Sequence, residues 1–217
     1  MKRIVWLGLV LTAAATSILQ GCIFNPTVKP GDQVKDYKPQ DSPENVVHNL
    51  QESYRHREIE QYAKLLAPEF IFKLQPQDVL ELGTEFYTHD DDSTGTNALF
   101  STNQVSGIVI DLLYTASEPA NDVELPDDAV KIRINQVNLK VDETSGISWQ
   151  VTDIQDMFFR PGRLAASEDT TKWFLMEWRD IPATLAPGVR PASTEMATPD
   201  ARTTTWGQLL SQMKEAG

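Results

Sequence analysis

Between Val105 and Phe158 apolar side chains recur at every second residue over long stretches, and no other feature constrains the fold of this chain as strongly. Val105 to Tyr114 is apolar and β-branched; after a loop rich in Pro, Asp and Asn, from Glu118 to Asp128, Val130, Ile132 and Ile134 alternate with Lys131, Arg133 and Asn135. Period two marks a half-buried strand, because successive side chains leave opposite faces. The pattern then slips by one, and Val137, Leu139 and Val141 become the apolar set. One extra residue near Asn135-Gln136, a β-bulge, would bend the strand and keep a single face apolar. Thr144-Ser145-Gly146 predicts a turn, followed by Ile147, Trp149 and Val151 in alternation. A second slip is read beyond them, placing Ile154, Asp156 and Phe158 on the inner face. Trp173 to Trp178, after Pro161-Gly162, reads as a final strand that is apolar on both faces and hence central.

Ahead of this region the period changes. Ser42 supplies a capping oxygen and Pro43 suits a first helical position, where its missing N–H is not needed. Val47, Leu50 and Tyr54 form one helical stripe; Ile59, Tyr62, Ala63 and Leu66 form another after the charged Arg55-His56-Arg57-Glu58 break. Phe70-Ile71-Phe72, following Pro68, reads as a short strand. Residues 75–104 carry a weaker signal, with Ala98-Leu99-Phe100 closing a third helix through the poor helix formers Ser93, Thr94, Gly95 and Thr96. At the C-terminus Trp206, Leu209, Leu210 and Met213 share one helical stripe, and Thr205 and Gln208 have the spacing of a capping box. So short a helix is marginal alone in water, which predicts that it packs on its own domain, on a partner protein or on the membrane.

Together these elements predict an α+β fold: a curved antiparallel sheet of four long bent strands and one short strand, wrapped around N-terminal helices as a cone. The stretch SPENVVHNLQESYRHREIEQYAKLLAPEFIFKL, Ser42 to Leu74, resembles the opening of the nuclear transport factor 2-like, SnoaL-like (cystatin-like cone) family. KWFLMEWRD, from Lys172, and TTTWGQLLSQMK, from Thr203, resemble the tryptophan strand and Trp-Gly helix of small bacterial lipoproteins of that type. The resemblance implies a cone closing around a pocket, with the C-terminal Trp-Gly helix returning to pack on its own domain. Members of the family include enzymes, ligand binders and proteins with no known activity, so it implies no single function.

Cys22 is the only cysteine. Lys2 and Arg3 precede an uncharged run from Ile4 to Ile18, the layout of a secretory signal, too short for the roughly 20 residues of a membrane-spanning helix. Leu19-Gln20-Gly21-Cys22 resembles the bacterial lipobox, which implies cleavage between Gly21 and Cys22 and a lipid on the Cys22 thiol. Two or more acyl chains anchor stably where one does not. The bilayer is thus the expected partner of acylated Cys22, in a bacterial cell envelope, and Ile23 in place of an aspartate favours the outer membrane. Pro26, Pro30, Gly31 and Pro39 make residues 22–41 a tether of up to ~60 Å, followed by a domain over 42–181, a Pro/Thr/Ala-rich loop over 182–204 and the helix of 205–217. Net charge is −12, and −14 once Lys2 and Arg3 are removed with residues 1–21. Nucleic acid is excluded as a partner on that ground, since its binding rests on cationic side chains meeting phosphates.

The predicted pocket is lined by Tyr54, Phe70, Trp149, Val151, Ile154 and Phe158 and suits a small apolar ligand. Asp156 alternates with Ile154 and Phe158, and Asp111 with Val109 and Leu113. A carboxylate among apolar side chains has a raised pKa and can act as general acid or base, so Asp156 and Asp111 are the catalytic candidates. His48 and His56 read as solvent-facing. Asp90-x-Asp92-x-Thr94-Gly95 begins like an EF-hand loop, but its twelfth position is Ser101 where a bidentate glutamate is needed. The same run mimics an aspartyl phosphatase motif without the parallel βα context that chemistry uses, and reads as a solvated loop or helix start. No Gly-x-Ser-x-Gly elbow, phosphate loop or cysteine pair occurs, and no metal or cofactor is implied. Three functions stand open: a non-catalytic binding or accessory module, an isomerase or cyclase-type enzyme, and an assembly subunit of an envelope complex contacting another envelope protein.

Overall fold

The structure, a computed structural model, describes residues 34–182 and 201–216. The signal segment, Cys22, most of the tether and most of the 182–204 loop lie outside the described residues. Among the described residues no helix is long and apolar enough to cross a membrane.

Helix α1 (Pro43–His56) starts with Ser42 Oγ accepting the Asn45 N–H at 3.2 Å and ends where Arg57 adopts a left-handed φ of 55°. It buries Val46, Val47, Leu50 and Tyr54, and α2 (Ile59–Ala63) adds Tyr62 to the same core. Strand β1 (Leu66–Lys73), helix α3 (Pro76–Leu82), strand β2 (Phe86–Thr88) and helix α4 (His89–Ser101) follow. The weakly patterned region is thus two helices with a strand between them. Poor intrinsic formers hold α4 because Thr88 and Asp91 make a reciprocal capping box at its start. The sheet continues with β3 (Val105–Tyr114), β4 (Glu118–Pro119), β5 (Val130–Glu143), β6 (Ser148–Val151), β7 (Ile154–Pro161), β8 (Trp173–Ile181) and β9 (Ala201–Thr203), and α5 (Trp206–Ala216) closes the chain.

The fold is α+β, with the sheet ordered β2-β1-β8-β7-β5-β6-β9 and both β3 and β4 also paired to β5. It is mixed where an antiparallel sheet was expected: β1 runs parallel to β8, and β6 parallel to β9. Periodicity reports which face a residue takes and carries nothing about the direction of the neighbouring strand. The bulge in β5 is present. Leu113 lies opposite Gln136 and Tyr114 opposite Ile134, so Asn135 is the extra residue, and Ile132, Ile134, Val137, Leu139 and Val141 are all buried.

The second slip does not occur. Val151, Met157 and Phe159 belong to the main core, whereas Phe158 joins a separate cluster with Ala67, Ala129 and Met176, against Ala120 and Leu125 on the outer face of the sheet. Parity is unbroken from Val151 through Asp153, Gln155, Met157 and Phe159. The inner face of this segment therefore carries two polar residues, and Asp156 faces the other way.

Trp206, Leu209, Leu210 and Met213 of α5 are buried against the domain. Its capping box is made: Gln208 N–H donates to Thr205 Oγ1 at 3.1 Å, and Thr205 N–H to Gln208 Oε1 at 3.4 Å. Glycine next to the tryptophan lets the helix approach β1, since a Cβ on Gly207 would stand 2.2 Å from Leu74 Cδ2 and force that side chain to shift. Trp178, Trp206 and Tyr54 then pack in sequence, with ring centroids 4.5 and 5.3 Å apart. At the other end of the domain, part of the expected tether is bound down. Lys38 N–H donates to Asn49 Oδ1 at 2.8 Å, Tyr37 Oη to Glu58 Oε2 at 2.8 Å, and Trp173 N–H to the Gln40 carbonyl at 2.8 Å. Residues 36–40 belong to the domain because side chains of α1 and the edge of β8 satisfy their backbone as water would.

Candidate functional site

The polar side chains on the inner face of β7 and β8 meet an acid from α3. Gln155 and Asp180 are cross-strand partners, as are Met157 and Trp178. Asp153 stands just ahead of β7 on the Gln155 side of the sheet. Asp78 lies in the first turn of α3, after Pro76, and is held at the start of α5: Thr205 Oγ1 donates to Asp78 Oδ2 at 2.7 Å. The same hydroxyl accepts the Gln208 N–H, so its one proton is committed to Asp78. Asp78 and Gln155 are 0% exposed, Asp180 is 4% exposed, and Trp178 and Trp206 are fully buried.

These groups are poorly matched to one another. Among the described residues, Asp78 Oδ1, Asp153 Oδ2, both Asp180 oxygens, both Gln155 amide atoms and the Nε1 of Trp178 and Trp206 have no hydrogen-bond partner within the protein. Burial and the charges of Asp153 and Asp78 push the Asp180 carboxyl well above the usual carboxylate range, an effect the nearby Gln155 amide only partly opposes. Asp153 is raised by burial and by Asp78, with the backbone N–H of Trp206 acting in the opposite sense. Asp78 is raised by burial, against the Thr205 hydroxyl. No Lys, Arg or His among the described residues figures in these shifts. Each unpaired buried polar group costs about 1–3 kcal/mol, and native interiors pair nearly all of them with protein, water or ligand. Chemically, the arrangement sets three carboxyls of raised pKa near the unpaired Gln155 amide and Trp178 indole N–H.

A second buried acid lies between the helices. Tyr62 Oη donates to Asp92 Oδ2 at 2.5 Å, and burial, aided by the Asp91 charge and opposed by that hydrogen bond, raises Asp92 to about 7. Helical geometry over His89–Ser101 removes the EF-hand-like loop. Among the described residues no three His, Cys, Asp or Glu side chains are arranged to hold a metal ion.

The catalytic candidates read from the sequence lie elsewhere. Asp156 is on the outer face, where Arg133 grips it through Nε at 2.8 Å and Nη2 at 2.9 Å. Asp111 is exposed, and its face is the solvent face, with Val109 and Leu113 60% and 59% exposed beside it. Of the expected pocket residues, Tyr54, Phe70 and Val151 lie in the main core. Trp149 is half-buried, its Nε1 donating to Glu143 Oε1 at 2.6 Å under the Arg202 guanidinium. Ile154 is buried but outside the main core, and Phe158 is on the outer face with Asp156. His48 is half-buried, its Nε2 2.7 Å from the Asp36 carbonyl, and His56 lies 3.4 Å from Glu52. Asp78, Asp153, Gln155 and Asp180 were missed. Unbroken alternation from Val151 would have found Asp153 and Gln155; the apparent slip arose because polar residues on an inner face imitate residues on an outer one.

No family model matches the sequence, and no curated protein does. Similar solved structures include a conserved protein from Planctomyces limnophilus, 13% identical, covering 64% of this chain and 93% of that one at a TM-score of 0.48. A nuclear transport factor 2-like superfamily protein from Salmonella enterica is 11% identical, covering 66% of this chain and 90% of that one at 0.45. A function-unknown protein from Mycobacterium tuberculosis is 10% identical, covering 80% and 84% at 0.45. Nothing about ligand or chemistry is carried across from likenesses of this size.

Proposed function

We propose that this chain is a ligand-binding module of the nuclear transport factor 2-like type, held at the bacterial envelope by a lipid on Cys22, with its ligand seated among Asp78, Asp153, Gln155 and Asp180. The observation that carries the binding reading is the set of buried, unpaired polar atoms on one inner face. A core built for stability alone would carry apolar residues there, as it does two positions on at Met157 and Phe159. The ligand is polar, in contrast to the apolar one suggested by the sequence. Support for anchoring rests on Leu19-Gln20-Gly21-Cys22 following an uncharged run. Native mass spectrometry of the chain purified from its host should show a bound small molecule that is lost in the Asp180→Leu, Gln155→Leu double variant. A folded protein with nothing bound, and a double variant that is merely more stable, would end the binding reading. For the anchor, Cys22→Ser should abolish metabolic labelling with palmitate; persistent labelling would refute it.

A second reading, proton-transfer catalysis, is favoured by one observation: the raised Asp180 carboxyl lies beside the unpaired Gln155 amide. A carboxyl whose pKa is raised by burial can pass a proton to a bound substrate and recover it from the product. Deuterium entering a carbon position of the recovered ligand in heavy water would favour this reading, and its absence would favour simple binding.

A further inference from the structure

Asp78 and Gln155 are fully buried and Asp180 is 4% exposed, so nothing reaches the polar inner face unless an element of the fold moves. The strands that carry this face are held on both sides. β7 is hydrogen-bonded to β5 and to β8, and β8 to β7 and to β1, so shifting either strand would break two ladders at once. Helix α1 is tied to the edge of β3: Gln51 Oε1 accepts the Leu112 N–H at 3.1 Å, and Arg55 Nη2 donates to the Ile110 carbonyl at 3.1 Å. Helix α5 takes part in no ladder. It covers the face directly, with Thr205 Oγ1 bonded to Asp78 and the Trp206 ring against Trp178 and Tyr54.

The fastening of α5 is uneven. Trp206, Leu209, Leu210 and Met213 are buried, but the polar ties further along the helix stand in solvent. Gln208 Nε2 donates to Glu81 Oε2 at 2.7 Å, and Lys214 Nζ lies 3.1 Å from Asp91 Oδ1 with the two side chains 48% and 42% exposed. Ties of this kind hold weakly, because water competes for both partners. Around the first turn the indole N–H groups of Trp206 and Trp178 and Asp78 Oδ1 are unpaired, a cost that the closed helix carries. A cleft already runs along one side of α5, where Leu82, Tyr87 and Asp91 face Leu210, Ser211 and Lys214. The chain ahead of the helix stays pinned, since β9 pairs with β6 and the Thr204 N–H donates to the Gln150 carbonyl at 3.0 Å. Resting on the binding reading above, we propose that α5 is a hinged cover, pivoting after Thr204 and parting from the domain along this cleft as one unit, and that its opening is the route by which a ligand reaches Gln155 and Asp180. Stability is not uniform across a fold, and elements that open are drawn from its least stable parts.

Native-state hydrogen exchange on the full-length chain in detergent, in urea below the unfolding transition, reads this opening with no ligand added. The amides of Leu209 to Met213 should exchange through one shared opening, at least about tenfold more frequent than the one that exposes the amides of β7 and β8 and less dependent on urea. Lys214→Ala should raise its frequency about two- to fivefold and leave β7 and β8 unchanged. A staple gives the converse. A Cβ at Gly95 would lie 3.2 Å from Leu210 Cβ, near the span of a disulfide, so a variant carrying Gly95→Cys and Leu210→Cys should show α5 exchange at least about tenfold slower when oxidised than when reduced. Exchange of α5 only in step with β7 and β8 would overturn the cover, as would protection that falls residue by residue toward the end of the helix, the mark of fraying. The binding reading fails separately: a shared opening of α5 in a native protein that carries no small molecule upholds the hinge and removes what it would admit.

Discussion

Replacing Asp92 by asparagine tests how far burial controls this interior. Asp92 is fully enclosed between helices, with Oδ2 accepting from Tyr62 and Oδ1 unpaired, and its pKa is raised from 3.8 to about 7. A group whose folded pKa lies above its unfolded value contributes stability that is fully present below the unfolded pKa and is lost as pH rises through the folded one. The window here runs from about pH 4 to about pH 7. A rise of about three units at about 1.4 kcal/mol each gives a loss of roughly 4 kcal/mol in the wild type across that window. Asparagine keeps the carbonyl that accepts the Tyr62 proton and has no charge to desolvate. Asp92→Asn should therefore equal the wild type near pH 4 and exceed it by a few kcal/mol at pH 8. Urea unfolding followed by circular dichroism at half-unit pH steps, with the slope held common, gives the difference directly. A difference that stays constant within about 0.5 kcal/mol from pH 4 to 8 would refute the argument, as would a variant less stable than the wild type at every pH.

Trp206→Ala should lose about 3–5 kcal/mol, because a buried ring in contact with Trp178 and Tyr54 leaves a cavity that the helices cannot close; a loss under about 1 kcal/mol would mean that α5 does not dock. Gly207→Ala should cost about 1–3 kcal/mol through its clash with Leu74, and Leu74→Ala in the same chain should recover part of that loss. Independent, additive effects of the two substitutions would exclude the contact. Arg133→Ala should cost about 2–3 kcal/mol, since it leaves the Asp156 carboxylate, whose side chain is only 12% exposed, without its bidentate partner. A loss of ligand binding in that variant would return Asp156 to the site.

Local pattern determined much of this protein. Ser42-Pro43 fixed the start of α1 because an N-cap oxygen and a proline at the first position act within one turn. The bulge at Asn135 was legible because apolar residues resume on the other parity and both sets prove buried. That α5 must pack on something followed from a stripe too short to persist unaided, and the resemblance pointed to its own domain as the surface. Only tertiary structure decided the parallel pairing of β1 with β8 and the burial of Asp78 and Asp180 beside Gln155. Hydropathy assigns a face by assuming that polar residues seek water. At the mouth of β7 and β8 the assumption fails, because the polar groups face one another, Trp178 and Trp206, and an acid delivered from α3 by the Thr205 hydroxyl. The same pattern that made the sheet legible hid the site it carries, since a polar residue on an inner face has the same local signature as one on an outer face, and only the neighbouring strands and helices distinguish them.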